Sequence, residues 1–232
     1  MIYVVIPTYN EKENICDLVK KIFRLNIENL KILVIDDNSP DGTYEALLEI
    51  KDDFPLEIIK RPGKMGLGSA YIEGFKYALS QGAEMIVEMD ADFSHNPNKI
   101  PELVQCIKDG NDLCIGSRCV EGGCTIGWNA KRKIFSRSAQ MFSRLMLGLK
   151  TKDVTGGFRC YHKKIFDKVD LNKIKSTGYS FQEEILYYIE KAGFKIKEIP
   201  ISFIDRKRGK SKLHFKEITD LLKNVIRLRF KR

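Results

Sequence analysis

The chain lacks any apolar run approaching the ~18 residues needed to span a bilayer, so no segment of it reads as a transmembrane helix. Its opening residues carry no basic n-region, and their apolar run stops at Pro7; that excludes a signal peptide and predicts a cytosolic chain. The six cysteines (16, 106, 114, 119, 124 and 160) include no C-x-x-C pair. Cys114, Cys119 and Cys124 recur every five residues, which does not match zinc-ligand spacing, and free thiols are expected. Histidine is scarce: His95, His162 and His214 show no metal-ligand spacing, and His95 is read as a local hydrogen-bonding residue rather than a base. Gly66 and Gly68 are not followed by G-K-[ST], so they do not form a P-loop and serve instead to let the backbone turn. No internal repeat, low-complexity tract or nucleic-acid-binding motif is present.

What the chain does have is enough length for a sizeable core. Its 232 residues, 43% of them hydrophobic, suit one α/β domain with or without an appendage. A net charge of +9 favours a polyanionic partner: nucleic acid, an anionic membrane or a phosphorylated substrate. Charge alone does not choose among the three.

Strand-like runs alternate with helical periodicity through the first hundred residues. Ile2–Ile6, Ile32–Ile35, Glu57–Lys60 and Met85–Met89 read as strands, with helices over Glu11–Asn26, from Thr43 as cap, and over Ser69–Gln81. That alternation predicts βαβ units and a parallel sheet, whose ligands bind beyond the carboxyl ends of the strands. Pro7–Glu11, Asp36–Asp37 and Asp90–Asp92 all fall at such ends. Further on come a helix over Asn98–Lys108 and a strand over Leu113–Ile115, then a glycine-rich loop at Cys119–Asn129 expected to be mobile. A basic helix over Lys131–Leu147, a helix over Tyr179–Ala192 and a strand over Lys195–Phe203 complete the body, with Pro200 marking an edge or bulge.

Asp90 and Asp92 are the most informative pair. A buried strand does not ordinarily end in two acids, because burying unpaired charge is costly. Residues i and i+2 of an extended segment point the same way, so both carboxylates can meet one hard cation, Mg²⁺ or Mn²⁺, beside substrate phosphates. A solvated turn capping the strand is the alternative.

Leu213–Arg232 is basic and amphipathic, with Phe215, Ile218, Leu221, Leu222, Val225 and Ile226 as its apolar stripe. Such a helix lies on an anionic membrane surface, or packs on the sheet with a solvated basic face. Trp128, in the glycine-rich loop, either touches lipid or anchors that loop.

Taken in order, P-T-Y-N-E at 7–11, D-D-N-S-P-D-G-T at 36–43, G-L-G-S-A-Y at 66–71 and M-D-A-D-F-S-H at 89–95 form one set with G-S-R at 116–118. The set continues through K-R-K-I-F-S-R at 131–137, T-G-G-F-R at 155–159, P-I-S-F at 200–203 and D-R-K-R-G-K-S-K-L at 205–213. Together these motifs resemble the inverting family 2 glycosyltransferases of GT-A fold, and most of all the dolichyl-phosphate mannose synthases, in a short form without transmembrane helices. The resemblance implies an α/β fold: a single GT-A domain over 1–212 with a mostly parallel sheet and helices on both faces, followed by the basic helix at 213–232.

It implies transfer of mannose from GDP-mannose to dolichyl or polyprenyl phosphate at the cytoplasmic face of a membrane, with Mg²⁺ or Mn²⁺ as cofactor and no nucleic acid as partner. Whether small membrane subunits recruit the enzyme stays open. A UDP-glucose-dependent relative, or a catalytically idle nucleotide-sugar-binding subunit, are the competing readings. By the same resemblance Pro7, Tyr9, Glu11, Ile35 and Asp37 line the nucleoside pocket, with Asp37 accepting from the base. Asp90, Ala91 and Asp92 sit at the ribose and diphosphate. Asp92, Asp90 and Ser94 are the metal-binding set, and Asp92, Asp90 and Arg118 the catalytic one. Arg206 and Lys212 close on the donor, while Arg118, Arg132 and Ser136 hold the acceptor phosphate.

Overall fold

Alternate residues of the first strand point into opposite cores, as a period of two requires. In β1 (Ile2–Thr8), Ile2, Val4 and Ile6 enter one apolar cluster, and Tyr3 and Val5 the other. The computed structural model describes residues 1–178, 180–205 and 215–230, leaving aside the side chains at 215–218 and 220.

After β1 come α1 (Lys12–Phe23), β2 (Leu30–Asp36), α2 (Thr43–Ile50), β3 (Leu56–Lys60), α3 (Leu67–Ser80) and β4 (Met85–Glu88). Then follow α4 (Ile100–Lys108), β5 (Leu113–Ser117), β6 (Cys124–Ile126), α5 (Ala130–Leu147) and β7 (Arg159–His162). The order ends with α6 (Phe181–Lys191), β8 (Ile196–Pro200), β9 (Ser202–Ile204) and α7 (Phe215–Phe230). A seven-stranded sheet runs β3-β2-β1-β4-β7-β5-β8, parallel throughout except for β7, which lies antiparallel between β4 and β5. Residues from α1, α2 and α4 fill the core on one face; those from α3 and α6 fill the other. Strand order reverses between β1 and β4, and in open α/β sheets that switch point opens the ligand crevice.

Several expectations need correction. Cys119–Asn129 is not simply a mobile loop: it contains β6, which pairs in parallel with β9 to make a second, two-stranded sheet. Lys195–Phe203 is not one strand. Its first part is β8, the edge of the main sheet where Pro200 is tolerated, and after Ile201 the chain joins β6 as β9. Thr43 is the first residue of α2 rather than its cap, a place taken by Gly42 in the left-handed region (φ +83°). The strand before the paired acids closes at Glu88, so Asp90 and Asp92 stand in the bend beyond it.

The apolar stripe of α7 divides. Val225 and Leu228 are buried, whereas Leu222, Ile226 and Phe230 are exposed. Arg227 pairs with the buried Glu184 at 2.7 Å, and Asn224 donates to the Ser180 carbonyl at 3.3 Å, so α7 is seated on the start of α6.

Candidate active site

At the carboxyl ends of β1 and β2, two sequence motifs become one hydrogen-bonded unit. Asp36, fully buried, accepts from the Thr8 hydroxyl (2.8 Å), the Ser39 N–H (2.9 Å) and the Ser39 hydroxyl (2.5 Å). The Ser39 oxygen in turn accepts the Asn10 N–H, and the Thr43 hydroxyl accepts the Glu11 N–H, each at 3.0 Å. These buried polar groups satisfy one another, which fixes the path of 7–11 over the sheet edge.

Asp37 faces inward. Arg61, itself buried, meets Asp37 at 3.0 Å, and the Met65 N–H donates to the other carboxylate oxygen at 3.1 Å. Burial pushes the Asp37 carboxyl up from its ordinary value against the pull of Arg61 and the Met65 and Gly66 N–H groups. An ionised carboxylate has about four lone-pair sites, so Asp37 clamps the 63–68 turn and keeps capacity for a further donor. That turn also carries Lys64 to 4.6 Å above the Tyr9 ring. Ile35 is fully buried against α3, whose Gly74 gives it room, so its side chain belongs to the core.

Beyond β4, Asp92 Oδ1 accepts both the N–H (3.0 Å) and the hydroxyl (2.5 Å) of Ser94. Ser94 is thus placed as the group that orients Asp92. Asp90 is a third exposed and accepts from the Tyr71 hydroxyl at 3.2 Å. Phe93, between the acids and Ser94, holds φ +60°, a conformation that bulky L-residues rarely adopt and that marks a locally strained bend. His95 packs face-on to Phe158 (5.0 Å) and edge-on to Phe203 (5.4 Å), and its Nδ1 accepts the Asp90 N–H at 3.4 Å. Burial holds this imidazole neutral, its pKa lowered to about 4; Asp92 pulls the other way and Arg118 adds to the lowering. His95 is therefore the local hydrogen-bonding residue expected from its spacing.

Among the described residues, no group of three or more His, Cys, Asp or Glu converges as a metal site. Asp90 and Asp92 nonetheless supply the hard oxygen donors that Mg²⁺ or Mn²⁺ prefers, and Mg²⁺ typically takes only one or two carboxylates with phosphate oxygens and water. The donor set fits a cation whose shell is completed by a bound diphosphate.

Arg118, after β5, is gripped from two sides of its guanidinium. Its Nε and Nη2 donate to Asp153 at 2.8 and 2.6 Å, and Nη2 also reaches the Thr155 hydroxyl at 3.0 Å. Burial opposes ionisation of Asp153, yet Arg118 and the Gln140 amide outweigh it and hold the carboxyl at about 2. Arg132, in the first turn of α5, pairs with Asp205 at 2.9 Å and lies 4.1 Å from the centre of the Trp128 ring. Arg118 approaches the same ring at 5.7 Å and Phe203 at 5.3 Å. Ser136 is half-buried on α5. Arg118, Trp128 and Arg132 thus form one cluster, joined through Phe203 and His95 to the paired acids. Arg206 and Lys212 lie outside the described residues.

Sequence reasoning missed Asp153, Gln140, Arg61 and Tyr71, single polar residues with no telling spacing. It also missed the buried carboxyl of Glu88, which burial raises to about 8 and which accepts from the Tyr161 hydroxyl at 2.6 Å and from Gln182. T-G-G-F-R proves to be a brace: Arg159 is buried and donates to the carbonyls of Gln182 (2.9 Å) and Val154 (2.8 Å).

Known proteins resemble this chain in sequence and in fold. Residues 3–170 match the family model described as glycosyl transferase family 2. The chain is 38% identical over 224 residues to a polyprenol monophosphomannose synthase of Mycolicibacterium smegmatis, covering 96% of this chain and 84% of that protein. It is 38% identical over 227 residues to an undecaprenyl-phosphate mannosyltransferase of Micrococcus luteus, covering 97% and 93%. Among solved structures, glucosyl-3-phosphoglycerate synthase from Mycobacterium tuberculosis, in complex with Mn²⁺ and UDP-glucose, superposes with a TM-score of 0.68. That match covers 98% of this chain and 77% of the other at 17% identity, a likeness of fold alone.

Proposed function

The chain belongs to glycosyl transferase family 2, and from that premise we propose that it transfers mannose from GDP-mannose to a dolichyl or other polyprenyl monophosphate. The products are the β-linked lipid-phosphate mannose and GDP, formed with inversion. One observation carries this reading. Two carboxylates at the β1/β4 switch point stand next to a cluster of two arginines, with His95 and Phe203 between them. A donor diphosphate suits the first place and an acceptor phosphate the second. The lipid-phosphate acceptors named for the relatives above support the acceptor class.

The acceptor phosphate is ionised near neutral pH, so no side chain has to remove a proton from it, unlike a hydroxyl acceptor. In this reading His95, buried with its Nδ1 accepting the Asp90 N–H, has a positioning role and not that of a base. Asp90 and Asp92 are the residues that would hold Mg²⁺ or Mn²⁺, which when bound neutralises charge on the leaving diphosphate. Pro7, Tyr9, Glu11 and Asp37 wall the nucleoside. Arg118, Arg132 and Ser136 align the acceptor oxygen in line with the anomeric carbon, so the work of the protein is orientation and charge placement.

The lipid acceptor requires contact with a membrane, and no helix among the described residues is long and apolar enough to cross one. The exposed Ile134, Met141 and Leu145 recur at helical spacing on α5, among Lys131, Lys133 and Arg137; α7 adds Leu222, Ile226 and Phe230. Apolar residues within a basic surface suit peripheral seating on an anionic leaflet. Recruitment by small membrane subunits is the other route to lipid.

The deciding experiment measures transfer to a short polyprenyl phosphate with Mn²⁺ or Mg²⁺, comparing GDP-mannose with UDP-glucose. Product from GDP-mannose, lost on chelation, supports the reading. Product from UDP-glucose alone overturns the donor, and nucleotide binding without product from either points to a missing partner or a binding-only role.

A further inference from the structure

Trp128 is the only tryptophan of the chain and sits between the two arginines assigned to the acceptor. Guanidinium groups are held over indole faces by the ring quadrupole and by stacking, so one rigid ring holds Arg132 at 4.1 Å and borders Arg118, which Asp153 fixes, at 5.7 Å. The partners of the two arginines differ. Asp153 is fully buried and grips Arg118 at two points, whereas Asp205, through a single contact, leaves its side chain 36% exposed. Arg132 is therefore the guanidinium free to exchange its carboxylate for an arriving anion. One further detail is unexplained by packing: the Trp128 indole N–H is buried and has no acceptor among the described residues. A buried unpaired donor is costly, and among basic groups its natural complement is an anionic oxygen.

We propose that Trp128 is an acceptor-binding residue: its ring face spaces Arg118 and Arg132, and its indole N–H donates to the acceptor phosphate when Arg132 re-pairs with it. The assignment of that ligand rests on the functional reading above. A phosphate monoester offers three oxygens, enough for two guanidiniums and one N–H at once. Trp128 also packs edge-on against Phe203 at 5.6 Å, and Phe203 touches His95, so the acceptor end stays in register with the bend that carries Asp90 and Asp92.

Two measurements test this. Because the chain has one tryptophan, its emission can be titrated directly with a two-isoprene alkyl monophosphate, with GDP and Mn²⁺ present to fill the donor side. The corresponding alcohol and inorganic phosphate serve as controls. Saturable quenching or a shift with the alkyl phosphate and not the alcohol is expected; identical traces for the two overturn the proposal. In steady-state transfer, Trp128→Phe keeps an aromatic face and removes the N–H. It should raise the KM for the alkyl phosphate about tenfold, the loss of one hydrogen bond to a charged acceptor, with the KM for GDP-mannose and kcat within about twofold by the same count. Trp128→Leu, which also removes the face, should be worse. An unchanged acceptor KM in Trp128→Phe sinks the idea. If the wild-type protein gives no product from GDP-mannose yet its emission responds to the alkyl phosphate, the mannose reading falls and the phosphate site stands.

Discussion

The guanidinium of Arg118 and the carboxylate of Asp153 form a two-point pair, with Nε–Oδ2 at 2.8 Å and Nη2–Oδ1 at 2.6 Å. The backbone N–H of Arg118 donates to the same carboxylate at 2.8 Å. Asp153 therefore sets both the side chain and the main chain of the residue that follows β5. Loss of one partner of a buried pair leaves the other charge uncompensated and typically costs about 3–5 kcal/mol. Asp153→Asn should show that loss in urea unfolding, together with a raised acceptor KM because Arg118 is no longer held. Arg118→Lys should lose most activity, since an ammonium cannot reproduce the planar two-point contact. Full stability in Asp153→Asn would contradict the pair's structural role.

Asp92→Asn should lower transfer at least ~100-fold, since charge stabilisation by a bound cation is worth several kcal/mol. The fold should survive, because Asp92 stands in the bend beyond β4 rather than in the sheet. Ser94→Ala removes one of two donors to Asp92 Oδ1 and should cost about tenfold, the scale of one charge-assisted hydrogen bond. Because the described residues offer only two carboxylates here, Mn²⁺ should bind weakly alone and much more tightly with GDP present. Calorimetry with and without GDP checks this; equal affinities would place the cation elsewhere.

Much of the fold was legible because its signals are periodic. Ile15, Leu18, Val19 and Ile22 mark α1 at a spacing of three and four, and the alternating faces of β1 follow from a period of two. Acids at strand ends flagged Asp90 and Asp92 because charge there needs a reason. What stayed hidden depends on tertiary partners. Nothing in D-V-T announces that Asp153 meets a residue 35 positions earlier. Nor does a three-residue strand such as β6 carry enough pattern to be seen before β9 is known to lie beside it. The glycines at 66 and 68 are expected to let the backbone turn, and Gly66 does so at φ +100°; a Cβ on Gly68, however, would lie 2.6 Å from Phe181 Cβ and the Ser176 carbonyl, so close packing requires that glycine.

The exposed apolar face of α5 should decide membrane contact. Ile134 and Leu145 expose 65% and 76% of their surface, and Met141 is likewise open. Ile134→Ser, Met141→Ser and Leu145→Ser combined should leave thermal stability nearly unchanged and weaken co-sedimentation with anionic vesicles about a hundredfold, from lost apolar burial. Transfer to a short, water-soluble acceptor should persist. Added salt should weaken binding of the wild type without abolishing it, since screening acts on Lys131, Lys133 and Arg137 and not on the apolar contact. Undiminished vesicle binding by the triple variant would move the contact to α7 or to a partner.

Glu183 lies where α5, α6 and α7 meet, facing Ser143, Asn224 and Glu184, with Arg227 on Glu184. Burial raises its carboxyl from 4.5 to about 7; Ser143 and Asn224 oppose the rise and Glu184 adds to it. The folded chain therefore holds a proton there that the unfolded chain has released between those values. Its stabilising effect is full below about 4.5 and is lost as pH rises through about 7. Glu88 acts with the same sign up to about 8, while neutral His95 acts oppositely, losing stability as pH falls from 6.5 toward about 4. The informative quantity is thus the difference in Tm between wild type and Glu183→Gln, in which the other two cancel. That difference should be small near pH 5 and grow in favour of the variant up to about pH 8, because the amide stays uncharged beside Glu184. A difference that does not change with pH would mean that Glu183 is ionised throughout, and that Arg227 and Asn224 seat α7 against a charge rather than against a buried acid.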